Sequence, residues 1–204
     1  MDLINTEEIR IFLDTVNKVL NSNTFILKTK ANYLDLDIAQ KEIKAFLMSK
    51  DFREGLMTQS KEHGWTNYHY YDKKDGNKLK PNERCRFVKN QFNLTFEPIP
   101  KKKCGAYLRL MLMGDDPLGI FLSPYQKGVS KEEAVRVART FLNCLLEKQQ
   151  YRLFKLNTDF GYTHEELRGT KDICYFSGGM SSDAATLIVR EDNTAFMILT
   201  NGTD

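Results

Sequence analysis

The residues best suited to chemistry in this chain stand near its end, at Phe176-Ser177-Gly178-Gly179-Met180-Ser181-Ser182-Asp183. Adjacent glycines let backbone N–H groups approach an anionic oxygen closely, so the stretch has the chemistry of a phosphate cradle. Three histidines, His63, His69 and His164, offer a second kind of chemistry. An imidazole pair near Lys61 and Lys78 has the types needed for acid–base cleavage of RNA. One ring takes the 2′-hydroxyl proton, another protonates the leaving oxygen, and a lysine steadies the charge.

The glycine stretch resembles the Ser-Gly-Gly-x-Asp-Ser loop with which ATP pyrophosphatases hold pyrophosphate. That resemblance implies a parallel strand feeding the loop and a helix behind it, whose positive end aims at the phosphate. The chain departs from the pattern in two ways. Ser181 stands where the family has its aspartate, and Asp183 comes two positions later. Beyond Asp183 the apolar Leu187, Ile188 and Val189 read as strand, and only 21 residues remain, too few for the doubly wound sheet that such a loop serves. Gly178 and Gly179 are therefore expected to shape a turn or bulge before a final hairpin, with Ser181, Ser182 and Asp183 exposed.

The remaining motifs reduce to structure. His164-Glu165-Glu166 lacks the second histidine one helical turn on that a zinc helix needs, and Thr163 with Glu166 reads as a capping box. No Gly-x-Ser-x-Gly elbow is present, and Asp115 and Asp116 are turn residues before Pro117. Cys85, Cys104, Cys144 and Cys174 are dispersed, with no Cys-x-x-Cys pair, which fits a reducing compartment; Cys144 reads as a small core residue. No catalytic residue, metal ligand or cofactor is assigned.

Charge is distributed unevenly. Between Lys61 and Lys103 stand eleven Lys or Arg against five acids, whereas the whole chain carries a net charge of +3, so the rest is net acidic. Aromatic residues interleave this basic band. Trp65, Tyr68, Tyr70, Tyr71, Arg84, Arg86, Lys101, Lys102 and Lys103 are accordingly the candidate partner surface, since aromatic and arginine side chains anchor interfaces and charges steer association. The same residue types pair phosphate attraction with base stacking, which makes RNA or DNA the alternative partner.

Elements must position these residues. An Asn5/Glu8 capping box opens a helix over 5–20, with Ile9, Phe12, Leu13, Val16, Val19 and Leu20 on one face. Phe25-Ile26-Leu27 reads as a short strand, and a second helix spans 37–49. From 65 to 113 the pattern is extended: a strand over 84–96 in which Phe92, Leu94 and Phe96 alternate with polar residues, closed by Pro98 and Pro100, then a strand over 107–113 paired in a hairpin with 120–122. Lys101, Lys102 and Lys103 fall in a solvated loop between them. Ser130 and Glu133 cap the clearest helix, over 130–147. Residues 153–156 read as a strand, 163–167 as a helical turn and 173–176 as extended, and 186–190 with 195–199 form a hairpin around a four-residue loop.

Helices segregated from hairpin-linked strands predict a single α+β domain over 1–204, with a largely antiparallel sheet packed with about three helices; the best candidate for a seam is 73–81. At 41% hydrophobic and 28% charged, the chain is expected to be soluble, with neither an N-terminal secretory pattern nor a membrane span. In general character it resembles the cytosolic immunity proteins that bacteria pair with secreted toxins, including those of contact-dependent growth inhibition. The resemblance is one of type and transfers no residues. It implies a cytoplasmic, non-enzymatic module that neutralises a toxin by covering its active site; the alternative from another class is an RNA- or DNA-binding protein or small nuclease using the band 61–103.

Overall fold

Helix α1 (Glu7–Leu20) forms because six apolar residues at steps of three and four can be buried only together; Ile9, Phe12, Leu13, Val16, Val19 and Leu20 are all buried. The computed structural model describes residues 6–20, 22–63, 85–86, 88–113, 128–161, 173–174 and 184–202. After α1 come β1 (Ser22–Lys30), α2 (Leu36–Leu47), α3 (Lys50–Glu62), β2 (Cys85–Arg86), β3 (Phe96–Ile99), α4 (Lys101–Met113) and α5 (Lys131–Leu146). The described chain closes with β4 (Tyr151–Leu156), β5 (Ile173–Cys174), β6 (Ala184–Arg190) and β7 (Thr194–Gly202). The fold is α+β, as the segregation of elements implies.

Five strands make one antiparallel sheet in the order β1-β7-β6-β4-β3, and β2 pairs with β5 in a separate parallel ladder. Alternation along each strand sends residues to two different cores. Ile26, Leu153, Ile188, Phe196 and Ile198 join the cluster under α1, α4 and α5. Phe25, Leu27, Phe154, Leu187, Met197 and Leu199 join the cluster under α2 and α3. The sheet is therefore the middle of three layers. In the first core Phe12 of α1 stacks on Phe141 of α5, with ring centroids 3.9 Å apart and planes 15° from parallel.

Five helices occur among the described residues, where the sequence pattern predicts about three. The first addition is α3. Ser49 Oγ accepts the Phe52 N–H at 3.1 Å and so caps it, but in a mostly polar stretch its apolar anchors are the buried Phe52 and Leu56 with the half-buried Met57 beside them. Gly55 lets it lie close on β1, because a Cβ there would come within 2.6 Å of Leu27 Cδ2.

The second addition corrects an expectation. Residues 107–113 are not a strand; they belong to α4, and the expected hairpin partner 120–122 lies outside the described residues. Its buried residues Cys104, Tyr107, Leu108, Met111 and Leu112 follow at steps of three and four, a helical stripe that the mostly apolar run 107–113, broken by Arg109, conceals. Of the strand expected over 84–96, β2 covers Cys85–Arg86 and the rest is not continuous strand. The backbone is irregular at 88–95, and β3 runs Phe96–Ile99 with Pro98 inside it. Asn157 N donates to Thr95 O, which puts odd-numbered residues on the β4 side and turns Pro98 to the outer edge, where its missing N–H costs nothing.

The other elements agree with their sequence patterns. Asp35 caps α2 and Ser130 caps α5, each through side-chain bonds to main-chain N–H groups. Asn5, the helical turn at 163–167 and the seam at 73–81 lie outside the described residues. The last hairpin has a three-residue turn, 191–193, because Thr194 already belongs to β7. Asn193 takes the left-handed conformation this turn requires, with φ 62°, and its N–H donates to Arg190 O at 3.0 Å.

Among the described residues one charged side chain is buried. Arg190 is 6% exposed; its Nη1 donates to Glu147 Oε2 at 2.6 Å and to Leu145 O at 3.1 Å, and it pairs with Asp192 as well. These bonds tie the β6–β7 turn to the C-terminus of α5. Burial alone raises the Asp192 carboxyl, yet hydrogen bonds from Arg190 and Thr194 and the Arg190 charge outweigh it and hold the group below its ordinary value.

Replacing Arg190 with Ala is expected to cost about 2–4 kcal/mol in urea unfolding, because the carbonyl and both carboxylates lose a shared partner. The Asp192 contribution is complete above the ordinary carboxylate pKa of about 4 and disappears as pH falls through the lower native value. Stability measured from neutral to acid pH should therefore fall more steeply for the wild type than for Arg190→Met.

Candidate functional site

Of the residues singled out from sequence, the structure brings together Lys101, Lys102 and Lys103. They form the first turn of α4 and all three are exposed. Arg86 stands on β2, the strand paired in parallel with β5. Trp65, Tyr68, Tyr70, Tyr71 and Arg84 lie outside the described residues, as do His69, His164 and the stretch 176–183. His63 follows α3, exposed, with its N–H donated to Gln59 O at 3.0 Å. The residues directly after Asp183 are strand β6, not the helix that a pyrophosphate loop feeds.

Lys101, Lys102 and Lys103 are not in a loop, and the reason lies in the residues on either side. Pro100 cannot continue β3 with an N–H, and its carbonyl accepts the Lys103 N–H at 2.7 Å, closing the first turn of the helix. Cys104 then starts the buried stripe, which leaves the three lysines before it on the solvent side. Lys101 Nζ donates to Gln150 Oε1 at 2.6 Å and sits 5.8 Å from the Tyr151 ring centroid, a cation over an aromatic face. Gln150 and Tyr151 escape a reading of the sequence because only the β3–β4 pairing carries them to the start of α4.

The electrostatics of this turn are unusual among the described helices. Helix N-termini carry partial positive charge and favour acids in the first turn. The rule is kept by Glu7 and Glu8 in α1, Asp37 in α2, Asp51 in α3, and Glu132 and Glu133 in α5. The first turn of α4 has no acid at all. Three lysines therefore add to the helix's own positive end, and among the described residues neither Lys102 nor Lys103 has an acidic partner. The result is a concentrated positive field directed into solvent.

Cys104 sits beneath this turn, 1% exposed. A thiol at a helix N-terminus beside lysines is a candidate nucleophile, but burial pushes this one up, outweighing the hydrogen bond with Tyr151 and the Lys101 charge. Tyr151 is pushed up to about 12, first by burial and then by Cys104. Both groups stay protonated at neutral pH and serve as packing under the lysines. Among the described residues no group of three His, Cys, Asp or Glu could hold a metal ion, and no helix is long and apolar enough to cross a membrane.

Iodoacetamide labelling of the native protein, mapped by peptide mass spectrometry, is expected to leave Cys104 unmodified until denaturant is added. Modification of native Cys104 faster than of half-buried Cys144 would show an activated thiol instead. The chain matches no family model, no curated protein and no solved structure.

Proposed function

We propose that the protein is a non-catalytic binding module, an immunity protein that neutralises a cognate toxin in the cytoplasm by covering the toxin's active site. The observation that carries this reading is the first turn of α4: Lys101, Lys102 and Lys103 stand exposed at the one described helix start that lacks an acid. Each lysine there costs a few tenths of a kcal/mol against the dipole. A surface held against its own stability is expected where an anionic partner docks. Rim charges of this kind set association rate and partner choice, while aromatic side chains such as those of Trp65, Tyr68, Tyr70 and Tyr71 would supply the anchor.

Phosphate is the other anion that such a field attracts, and a nucleic acid is therefore the competing ligand. The test is co-expression with a candidate toxin domain, sought in the neighbouring gene, using the wild type and the charge-reversed Lys101→Glu, Lys102→Glu, Lys103→Glu protein. Wild type is expected to form a one-to-one complex that protects the cell. The reversed protein should associate at least about tenfold more slowly at low salt, while its own unfolding free energy rises by about 1–3 kcal/mol. Neutralisation that proceeds equally fast without the lysines would remove the α4 turn from the contact. Tight binding of single-stranded RNA, with a salt slope that the reversal reduces by about 2, would replace the protein partner by a nucleic acid.

A further inference from the structure

Among the described residues β1 is an edge strand, bonded to β7 on one side only. The Ala31 N–H donates to Asn193 O at 3.0 Å and continues the β1–β7 ladder. Bonded residues alternate along an antiparallel strand, so Thr24, Ile26, Lys28 and Lys30 turn their N–H and carbonyl groups away from β7. Side chains occupy the first part of that edge. Asn17 Oδ1, from α1, accepts the Thr24 N–H at 2.7 Å. Gln59, from α3, meets Ile26 twice: its Oε1 accepts the Ile26 N–H at 3.0 Å and its Nε2 donates to the Ile26 carbonyl at 2.6 Å. These are the two bonds that a residue of an adjoining antiparallel strand would make.

We propose that Gln59 is an edge plug that, together with Lys28 and Lys30, prevents β1 from pairing with β1 of a second copy of this chain. The segment needs such protection, because Phe25, Ile26 and Leu27 are consecutive, apolar and strand-forming. Twofold self-pairing is antiparallel, so its registers are few. Those that use only the outward groups of Lys28 and Lys30 set Lys28 against Lys28, Lys28 against Lys30 or Lys30 against Lys30. Both side chains are exposed, and like charges directly opposed destabilise a strand pair. Registers that avoid this opposition, such as Ile26 on Ile26 with Thr24 on Lys28, require the N–H and carbonyl of Ile26. Gln59 already holds them. The amide thus closes the registers that charge leaves open, and the lysines close those that the amide leaves open.

The decisive comparison is light scattering of Gln59→Ala against wild type over a range of concentration, with circular dichroism to establish that the variant is folded. The variant is expected to rise toward twice the wild-type mass, and to do so at lower concentration when Lys28→Thr and Lys30→Thr are added. A folded Gln59→Ala that assembles no further than wild type overturns the proposal. Hydrogen exchange of the wild type gives an independent reading that needs no variant. The Ile26 amide should exchange about tenfold or more slowly than the Lys28 amide, although both face away from β7. Equal rates would overturn the plug, and this comparison decides the matter if Gln59→Ala fails to fold.

Discussion

Burial of the five-stranded sheet on both faces is the constraint from which the rest of this molecule follows. All seven residues of β6 are buried, and β7 is buried from Ala195 to Thr200. An antiparallel sheet commonly leaves one face to water and then reads as alternating apolar and polar residues. Here both faces carry large side chains, each worth roughly 1.5–3 kcal/mol when removed from water, so both must be roofed. Three helices cover one face and two cover the other. Exposed pairs such as Lys50 with Glu54 and Arg136 with Glu133 add little beside this burial.

A sheet roofed on both sides leaves its polar groups few ways to be satisfied. Tyr107 reaches down from α4 to within 3.2 Å of Thr186 Oγ1, and Ser22 lies as close to Thr24. Arg190 is tolerated because three partners converge on it at the end of α5. The two outer strands raise the same problem in the main chain. β3 is short and carries Pro98 at its outer edge, while β1 is met by side chains from α1 and α3. Each device gives an unpaired main-chain group a partner or removes the group altogether.

Legibility followed how much of an element's partner set is local. Helices α1, α2 and α5 were readable because their apolar residues keep the 3.6-residue period and polar caps stand in sequence beside them. The β6–β7 hairpin was readable because both runs and the turn lie within twenty residues. Helix α3 was not, since a mostly polar stretch with few apolar anchors acquires helical meaning only when Phe52, Leu56 and Met57 meet the sheet. The run 107–113 misled because a short, mostly apolar run suits a buried strand as well as a helix packed against several neighbours. The candidate site divides in the same way. The lysines of 101–103 are plain in composition, but their setting at a helix start beside Gln150 and Tyr151 depends on the pairing of β3 with β4.

The amino-acid sequence alone determined the α+β class, the amphipathic faces of α1 and α5, the final hairpin and the concentration of positive charge between Lys61 and Lys103. Each is a property of neighbouring residues or of a sum over them. Tertiary structure alone decided that the strands are roofed on both faces, that Lys101 to Lys103 stand on a helix dipole of their own sign, and that Gln59 completes the edge of β1. These depend on groups brought together across the chain, Gln59 to Ile26 across 33 residues and Tyr107 to Thr186 across 79. A side-chain amide can replace a strand only where packing has already set it beside one.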